Sequence, residues 1–493
     1  MQKRSSQGKS NGPNVRADVI TRLENFAPGD SGLLLLESTP NSGASTLLLH
    51  FAEGLFLRAD APLPVYFSLR HGESSVLAAK RFAYEFLAQT IAYRRSDPIF
   101  SKTSPGFNEI LGLAPATDIS WIKQAAERIE EESAIDPTSI ERCLSVPMLS
   151  ASSGLRPLLI FDDLHLSSSI DGGDEFVRCL FRVAERAEFP VIAAGRRRYL
   201  SRFDGERLSL SSPTFESVRD GVSLSAETID LKLDDALLDL VAIQIGDRPG
   251  FISSLLKRAK QFDGTLSGFP LIQRAYLEEI FTGAIGRWFE REIGYACKDM
   301  REEIKVKELF GDLGIQNTAA APIASLSYST GISEERLFDI ANRLYGSEVV
   351  EFSGGELRVP DADPLLADLF QAQGRRSNKK EEHSVVFTTM LAAAVRRAPQ
   401  LLSEHYRNGS ALGLRGLIEK FGRRSMPKAL FDQQLFNIRY KGRAKEEIIA
   451  ELAKDADSVE LPSVIFAGNL DSISKEIGKF LIQSVYDRVF QAF

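Results

Sequence analysis

The sequence has little cysteine and histidine for its 493 residues. Its three cysteines, Cys143, Cys179 and Cys297, lie far apart, which argues against a disulfide framework and against a thiolate metal site. The five histidines show no spacing typical of metal ligands. We therefore expect a chain of the reducing cytoplasm, with no metal beyond a magnesium ion carried by a nucleotide.

Long apolar runs are also missing. None approaches the roughly 20 residues of a membrane-spanning helix. The first residues, MQKRSSQGKSNGPN, are polar and basic and lack the apolar stretch of a secretory signal. We expect residues 1–15 to form a disordered tail and the chain to have no membrane partner. With 43% hydrophobic residues, the remainder is long and apolar enough for several folded domains.

Positive charge is concentrated in one segment of an otherwise acidic chain. Residues 375–445 contain sixteen Lys/Arg and five Asp/Glu, a net charge of +11 within a total of -7. Such a segment is typical of contact with nucleic acid or an acidic protein, and a solvated charged surface is the alternative. The residues that combine charge with stacking are Arg423, Arg424, Lys441, Arg443, Phe421, Phe436 and Tyr440.

Residues 16–222 alternate between apolar runs and helical patterns. The runs SGLLLLES, APLPVYFSLR, RPLLIFDDLH and FPVIAAGRRR read as buried strands, with amphipathic segments between them. Continuous apolar strands are typical of a parallel sheet that is covered on both faces. The predicted fold class is α/β, and residues 100–155 form a mostly helical insertion.

A small-residue turn follows the first strand and opens a helix, as in a Walker A phosphate loop. In that motif glycines let backbone N–H groups surround phosphates at a helix N-terminus, lysine adds charge, and a hydroxyl binds magnesium. Here serine replaces the first glycine and alanine replaces the lysine. The residues predicted to bind nucleotide in this turn are Ser38, Ser42, Gly43, Ala44, Ser45 and Thr46.

Two acids end the third apolar run, where P-loop ATPases carry a Walker B pair. We predict that Asp162 holds magnesium together with Ser45, and that Asp163 orients the attacking water as a catalytic residue. Two acids that simply begin a loop are the alternative. The fourth run ends in three arginines, and Arg196 is placed to contact a γ-phosphate. Arg70, after the second strand, is a candidate to replace the missing lysine.

The second half of the chain reads as three further regions. Residues 223–298 are helical and form a predicted lid. Residues 299–374 contain two helices and a hairpin pattern with Gly354-Gly355 at its turn, which is the order of a winged helix. Residues 375–493 form a basic, mostly helical domain with strands predicted at 434–440 and 460–468. The predicted helix at 333–345 carries three acids and two arginines, which favours an intramolecular or protein contact over DNA reading.

In their order, these elements resemble the signal-transducing ATPases with numerous domains (STAND), and more distantly the origin-recognition type of AAA+ ATPase. The resemblance covers residues 17–370. It implies a P-loop NTPase core, a lid that brings the glycine-x-proline element Gly246–Phe251 near the adenine, and a following winged helix. Pro249 is therefore a predicted nucleotide contact. The resemblance implies ATP or ADP with Mg²⁺ as the cofactor.

The functional hypothesis is a nucleotide-binding regulatory switch of the AAA+/STAND type with weak or absent hydrolysis, because phosphoryl transfer depends on the positive charge that Ala44 lacks. Its C-terminal module would contact the partner. A slow ATPase and a pseudo-ATPase scaffold or adaptor for protein or nucleic-acid interaction are the alternatives. The sequence leaves the oligomeric state open, a homo-oligomer included.

Overall fold

The computed structural model describes the chain at residues 17–29, 32–58, 61–97, 107–131, 137–150, 153–186, 189–210, 214–316, 320–360, 363–378, 382–421, 425–427 and 458–460. The chain divides into two compact units, Met1–Val395 and Arg396–Phe493. No helix of the described residues is long and apolar enough to cross a membrane.

The first unit contains the five strands of the α/β core and, later in the chain, the three strands of a small antiparallel sheet. They are β1 (Gly32–Ser38), β2 (Leu63–Ser68), β3 (Pro157–Asp162), β4 (Pro190–Arg196), β5 (Glu206–Ser209), β6 (Ala321–Pro322), β7 (Glu351–Ser353) and β8 (Glu356–Arg358). In the second unit, β9 (Ser425–Pro427) and β10 (Ser458–Glu460) pair antiparallel.

Helices make up most of the described chain. Those of the core are α1 (Ala17–Phe26), α2 (Ala44–Phe56), α3 (Ser75–Arg95), α4 (Phe107–Leu113), α5 (Ile119–Glu131), α6 (Pro137–Leu144), α7 (Val146–Ser150), α8 (Gly173–Arg186) and α9 (Arg197–Leu200). Those that follow are α10 (Phe215–Thr228), α11 (Asp235–Ile245), α12 (Pro249–Lys260), α13 (Gly268–Phe281), α14 (Ala284–Ala296), α15 (Met300–Gln316), α16 (Ile323–Thr330), α17 (Glu334–Gly346), α18 (Pro364–Asn378) and α19 (His383–Phe421).

The core is a five-stranded parallel sheet in the order β2-β3-β4-β1-β5. Alternate side chains of its strands point to opposite faces, and both faces are buried. On one face Leu35, Phe67 and Phe161 pack with α3, α8 and the inserted helices α4–α7. On the other, Leu36 and Ile160 pack with α1 and α2. The predicted parallel sheet covered on both faces is confirmed.

A second, antiparallel sheet in the order β6-β8-β7 accompanies α15, α16 and α17. We call residues 300–358 the hairpin module. Gly354 and Gly355 both have positive φ, 60° and 77°, and form the two-residue turn between β7 and β8. A two-residue turn with left-handed backbone at both positions favours glycine, so the turn lies where the sequence predicts it.

The predicted domain borders are not all element borders. Helix α10 runs across 222/223 and α18 across 374/375, while 298/299 falls between α14 and α15. In the C-terminal region, the predicted strand at 434–440 lies outside the described residues. Of the strand predicted at 460–468, only Glu460 is described, at the end of β10.

Candidate functional site

The carboxyl ends of four neighbouring strands meet at one edge of the core sheet. Ser38 of β1 lies opposite Arg196 of β4, and Ser68 of β2 lies opposite Asp162 of β3. Strand β4 pairs with both β1 and β3, so Arg196 emerges between the turn after β1 and the acids after β3. Open α/β sheets bind ligands at this edge. We call it the phosphate-loop edge.

The turn between β1 and α2 has the backbone of an anion-binding loop. Gly43 precedes α2 with a left-handed φ of 83° and no side-chain cap, and Asn41 is also left-handed, with a φ of 58°. The N–H groups of a helix's first turn have no partner within the helix, and the helix dipole favours an anion beside them. Ala44, Ser45 and Thr46 supply this first turn. Ala44 brings no side-chain charge.

Two predicted contacts have structural partners elsewhere. The buried hydroxyl of Ser38 donates to the carbonyl of Gly195 at 3.1 Å and so joins β1 to β4. Pro249 begins α12, whose main contacts are with the helices α10, α11, α13 and α14. The preceding Arg248 forms an ion pair with Asp363. Nucleotide contacts by Ser38 and Pro249 stay predictions.

The two acids at the end of β3, Asp162 and Asp163, have different hydrogen-bond donors. Asp162 is only 2% exposed: its Oδ2 accepts from the Tyr66 hydroxyl at 2.6 Å, and its Oδ1 accepts from the Asp163 N–H at 2.8 Å. Asp163 has a left-handed φ of 55° and accepts from the Ser68 hydroxyl at 3.0 Å. Burial and the neighbouring Asp162 raise the pKa of Asp163 to about 6, against the opposing effect of Arg196.

Arg196 connects the loop to the acids. Its Nη1 donates to the carbonyl of Thr39 at 2.9 Å, while its Nε is buried without a hydrogen-bond partner. Its positive charge acts on Asp163 and lowers the pKa of the fully buried His165, which burial already depresses. An arginine between a phosphate loop and two acids is placed to contact a terminal phosphate. A γ-phosphate contact by Arg196 stays a prediction.

Arg70, the candidate to replace the missing lysine, lies beside two acids in this structure. Its side chain is 64% exposed, and its guanidinium lies 3.5 Å from Glu85 and 4.0 Å from Glu73. Both acids also pair with Arg81, so Arg70 belongs to a charged network on α3 and the preceding turn.

Helix α14 brings two side chains to the same edge that the sequence did not indicate. The ring of Tyr295 stacks on His71, after β2, with centroids 4.0 Å apart. Glu292 is 4% exposed, and burial raises its pKa, opposed mainly by the charge of Arg196. Tyr66 was missed as well. A tyrosine inside an apolar strand needs a buried partner for its hydroxyl, and this was the available signal.

Magnesium fits this arrangement poorly. Both oxygens of Asp162 are hydrogen-bonded, and Mg²⁺ requires near-octahedral oxygen ligands close to 2.1 Å. Within the described ranges, no group of three or more His, Cys, Asp or Glu residues could hold a metal ion. The Tyr66 hydroxyl contacts both predicted ligands, Ser45 and Asp162, in this structure, and magnesium binding by that pair stays a prediction.

The predicted nucleic-acid contacts belong mainly to the basic C-terminal segment, residues 375–445. Arg423, Arg424, Phe436, Tyr440, Lys441 and Arg443 lie outside the described residues. In α17 of the hairpin module, Arg336 pairs with Glu302 and Asp339, and Arg343 pairs with Asp339. Both arginines of this helix are therefore bound to acids of the same module.

No protein-family model matches the chain, and no curated protein matches it. Similar solved structures include the Walker-type ATPase PABY2304 of Pyrococcus abyssi, at 13% identity and a TM-score of 0.42, covering 72% of this chain and 95% of that one. The Holliday junction branch migration motor RuvB of Thermotoga maritima matches at 13% and 0.35, covering 71% and 92%. Orc1 of Aeropyrum pernix, solved in complex with DNA, matches at 14% and 0.40, covering 74% and 94%.

Strand order and loop geometry decide the fold. The core has the P-loop NTPase fold. Its parallel sheet places the loop after β1, the acids after β3 and the arginine after β4 at one edge, with helices on both faces. The activity is argued from the residues of the site, because a fold does not determine a function.

Proposed function

We propose that this protein is a nucleotide-binding regulatory switch of the AAA+/STAND type, with weak or absent hydrolysis. The observation that carries the proposal is the uncapped N-terminus of α2 behind the left-handed Gly43, faced by Arg196. Backbone N–H groups and the helix dipole recognise phosphates without a lysine. Hydrolysis is disfavoured because the loop lacks the cation that stabilises charge during phosphoryl transfer.

Contacts between core and hairpin module support the switching role. Arg198 lies two residues beyond Arg196, in α9. Its Nη1 donates to the carbonyl of Val350 at 2.8 Å, its guanidinium pairs with Glu351, and its carbon Cζ lies 4.5 Å from the centre of the Tyr345 ring. We propose that the module is a winged helix used for protein contact, and that a nucleotide at Arg196 biases this docking through β4 and α9.

A non-enzymatic scaffold is the second candidate. Two observations favour it. Ala44 lacks the charge of the lysine on which phosphoryl transfer depends, and both oxygens of Asp162 are already hydrogen-bonded within the protein. The two candidates differ in one respect that can be measured, since the switch binds a nucleotide and the scaffold does not.

The test is thermal unfolding of the full chain with and without ADP or ATP. Ligand at 100 times its dissociation constant stabilises a native domain by about 2.7 kcal/mol. We expect a clear rise in Tm for the natural chain and none for Gly43→Glu, where a bulky anion occupies the phosphate position. Gly54→Glu is the matched control, because Gly54 lies later in α2 with open space around it. No rise up to millimolar nucleotide favours the scaffold.

A further inference from the structure

The hydroxyl of Tyr66 lies between the two groups that the sequence assigns to magnesium. It donates to Asp162 Oδ2 at 2.6 Å, and the side chain of Ser45 interacts with the same phenol oxygen. Helix α2, which carries Ser45, packs against β2, which carries Tyr66. The phenol therefore bridges the loop and the acidic strand from the side of β2.

The fold fixes Tyr66 through its backbone. Strand β2 is at the edge of the sheet, and Tyr66 exposes its backbone hydrogen-bonding groups on the side away from β3. The Gln89 amide of α3 satisfies both: its Oε1 accepts from the Tyr66 N–H at 2.9 Å, and its Nε2 donates to the Tyr66 carbonyl at 2.9 Å. A side chain that replaces a missing strand partner holds this residue in one position.

The Tyr66 hydroxyl is one of two hydrogen-bond donors to Asp162. The Tyr66 hydroxyl donates to one oxygen and the Asp163 N–H to the other, so both oxygens of this almost fully buried carboxylate are hydrogen-bonded.

We propose that the Tyr66 hydroxyl takes the place of magnesium at this site, and that the loop binds the phosphates of a nucleoside diphosphate without a divalent cation. The inference rests on the proposed nucleotide binding and names its ligand class. A loop without lysine and without metal has only N–H groups, the α2 dipole and Arg196 to balance phosphate charge. Two acids stand opposite, so the smaller charge of a diphosphate is favoured over a triphosphate.

Tyr66→Phe tests the proposal, because it frees Asp162 Oδ2 for an ion and leaves the ring in place. Thermal unfolding of the full chain is compared in magnesium and in EDTA, with and without ADP. In the natural chain we expect the ADP-induced rise in Tm to be equal in both. In Tyr66→Phe we expect ADP to bind about tenfold more tightly in magnesium than in EDTA, an ordinary strength of coupling between two ligands.

Tyr84→Phe is the matched control. Its hydroxyl also donates to a carboxylate, that of Glu130, but on the helices that cover one face of the sheet. This variant also loses a phenol–carboxylate hydrogen bond. We expect its response to magnesium and ADP to equal that of the natural chain.

The outcomes separate this inference from the proposed function. If the natural chain binds ADP only in magnesium, the inference is wrong and the proposed function stands. If ADP has no effect in either buffer, the proposed function is wrong. The change in Tm caused by magnesium without nucleotide then tests the inference. A rise in Tm with magnesium for Tyr66→Phe, absent from the natural chain, supports it, whereas an equal response of both or no response of the variant overturns it.

Discussion

Buried polar groups are treated differently at the phosphate-loop edge and between helices α11 and α13 of the predicted lid, residues 223–298. In the lid, the buried amides of Gln244 and Gln273 donate to each other at 3.2 and 2.9 Å. At the edge, three buried side-chain nitrogens have no hydrogen-bond partner, namely Asn41 Nδ2, His165 Nδ1 and Arg196 Nε. The protein thus pairs the buried amides of α11 and α13 and leaves buried nitrogens unpaired at the edge, while Trp288 Nε1 and Glu292 Oε2 of α14 are buried without a partner as well.

This difference separates buried polar groups that stabilise the fold from buried polar groups that are available to a ligand. A buried donor without a partner costs about 1–3 kcal/mol, so a fold retains several in one place only if something else compensates. A phosphate group at the edge would accept from Asn41 and Arg196, whereas nothing further is required by the amide pair in the lid. Polar substitutions should therefore change stability in the lid and ligand binding at the edge.

The largest effect is expected where the lid pair is broken. Gln273→Leu leaves the amide of Gln244 buried without its partner, and we expect a loss of about 2–3 kcal/mol of unfolding free energy. Urea unfolding of the natural and variant chains measures it. The ADP-induced rise in Tm, taken from each chain's own midpoint, should be unchanged.

A double variant sharpens this test. Replacing both Gln244 and Gln273 by Leu removes the orphaned group, so the double variant should be more stable than the sum of the single losses implies. Strict additivity would show that the two amides do not act as a pair, and would remove the lid side of the comparison.

A smaller effect of opposite sign is expected at Glu292, a residue of α14 in the predicted lid that lies beside the phosphate-loop edge. Its Oε2 is buried without a hydrogen-bond partner, and burial raises its pKa. Because the folded pKa lies above the unfolded one, its ionisation destabilises the fold as pH rises from about 4.5. Glu292→Gln should therefore be more stable than the natural chain at pH 7, by about 1 kcal/mol.

The pH dependence provides the check. The gain from Glu292→Gln should shrink as pH falls towards 4, where the natural carboxyl is protonated in both states. Glu290→Gln is the control on the same helix, because Glu290 is 42% exposed and only 3.6 Å from Arg376. Exposed pairs contribute little, so this variant should differ by a few tenths of a kcal/mol. Identical pH profiles for Glu292→Gln and Glu290→Gln would contradict the assignment.

Local patterns predicted β1 to β4, the turn between β1 and α2 and the Gly354-Gly355 turn, because each depends on neighbouring residues, but they did not predict β5. They did not predict that β4 lies between β1 and β3, since strand order is set by packing across the whole core. Tyr66 meets Asp162 across 96 positions of chain, and Gln89 must also be in place for that contact. The motif predicts a magnesium ligand at Asp162 from the acid alone, and it contains no information on the Tyr66 hydroxyl that contacts this acid.

The smallest effect on stability is expected at Asn41. Asn41→Gly keeps the left-handed backbone of the loop, which glycine adopts freely, and removes a buried amide nitrogen that has no partner. Removing the unpartnered Nδ2 stabilises the fold and the greater backbone freedom of glycine offsets most of that gain, so the unfolding free energy should change by no more than about 0.5 kcal/mol. Affinity for ADP should nevertheless fall about tenfold, the value of one hydrogen bond to a charged group.

Asn342→Ala supplies the contrast for Asn41. The Asn342 amide donates to the carbonyl of Phe338 on an exposed face of α17, so its partner is already present in the protein. Titration calorimetry with ADP should find natural affinity in Asn342→Ala and the tenfold loss in Asn41→Gly. If Asn41→Gly instead lost stability and kept its affinity, the unpartnered amide would be structural. The distinction between the phosphate-loop edge and the lid would then fail at the residue that tests it most directly.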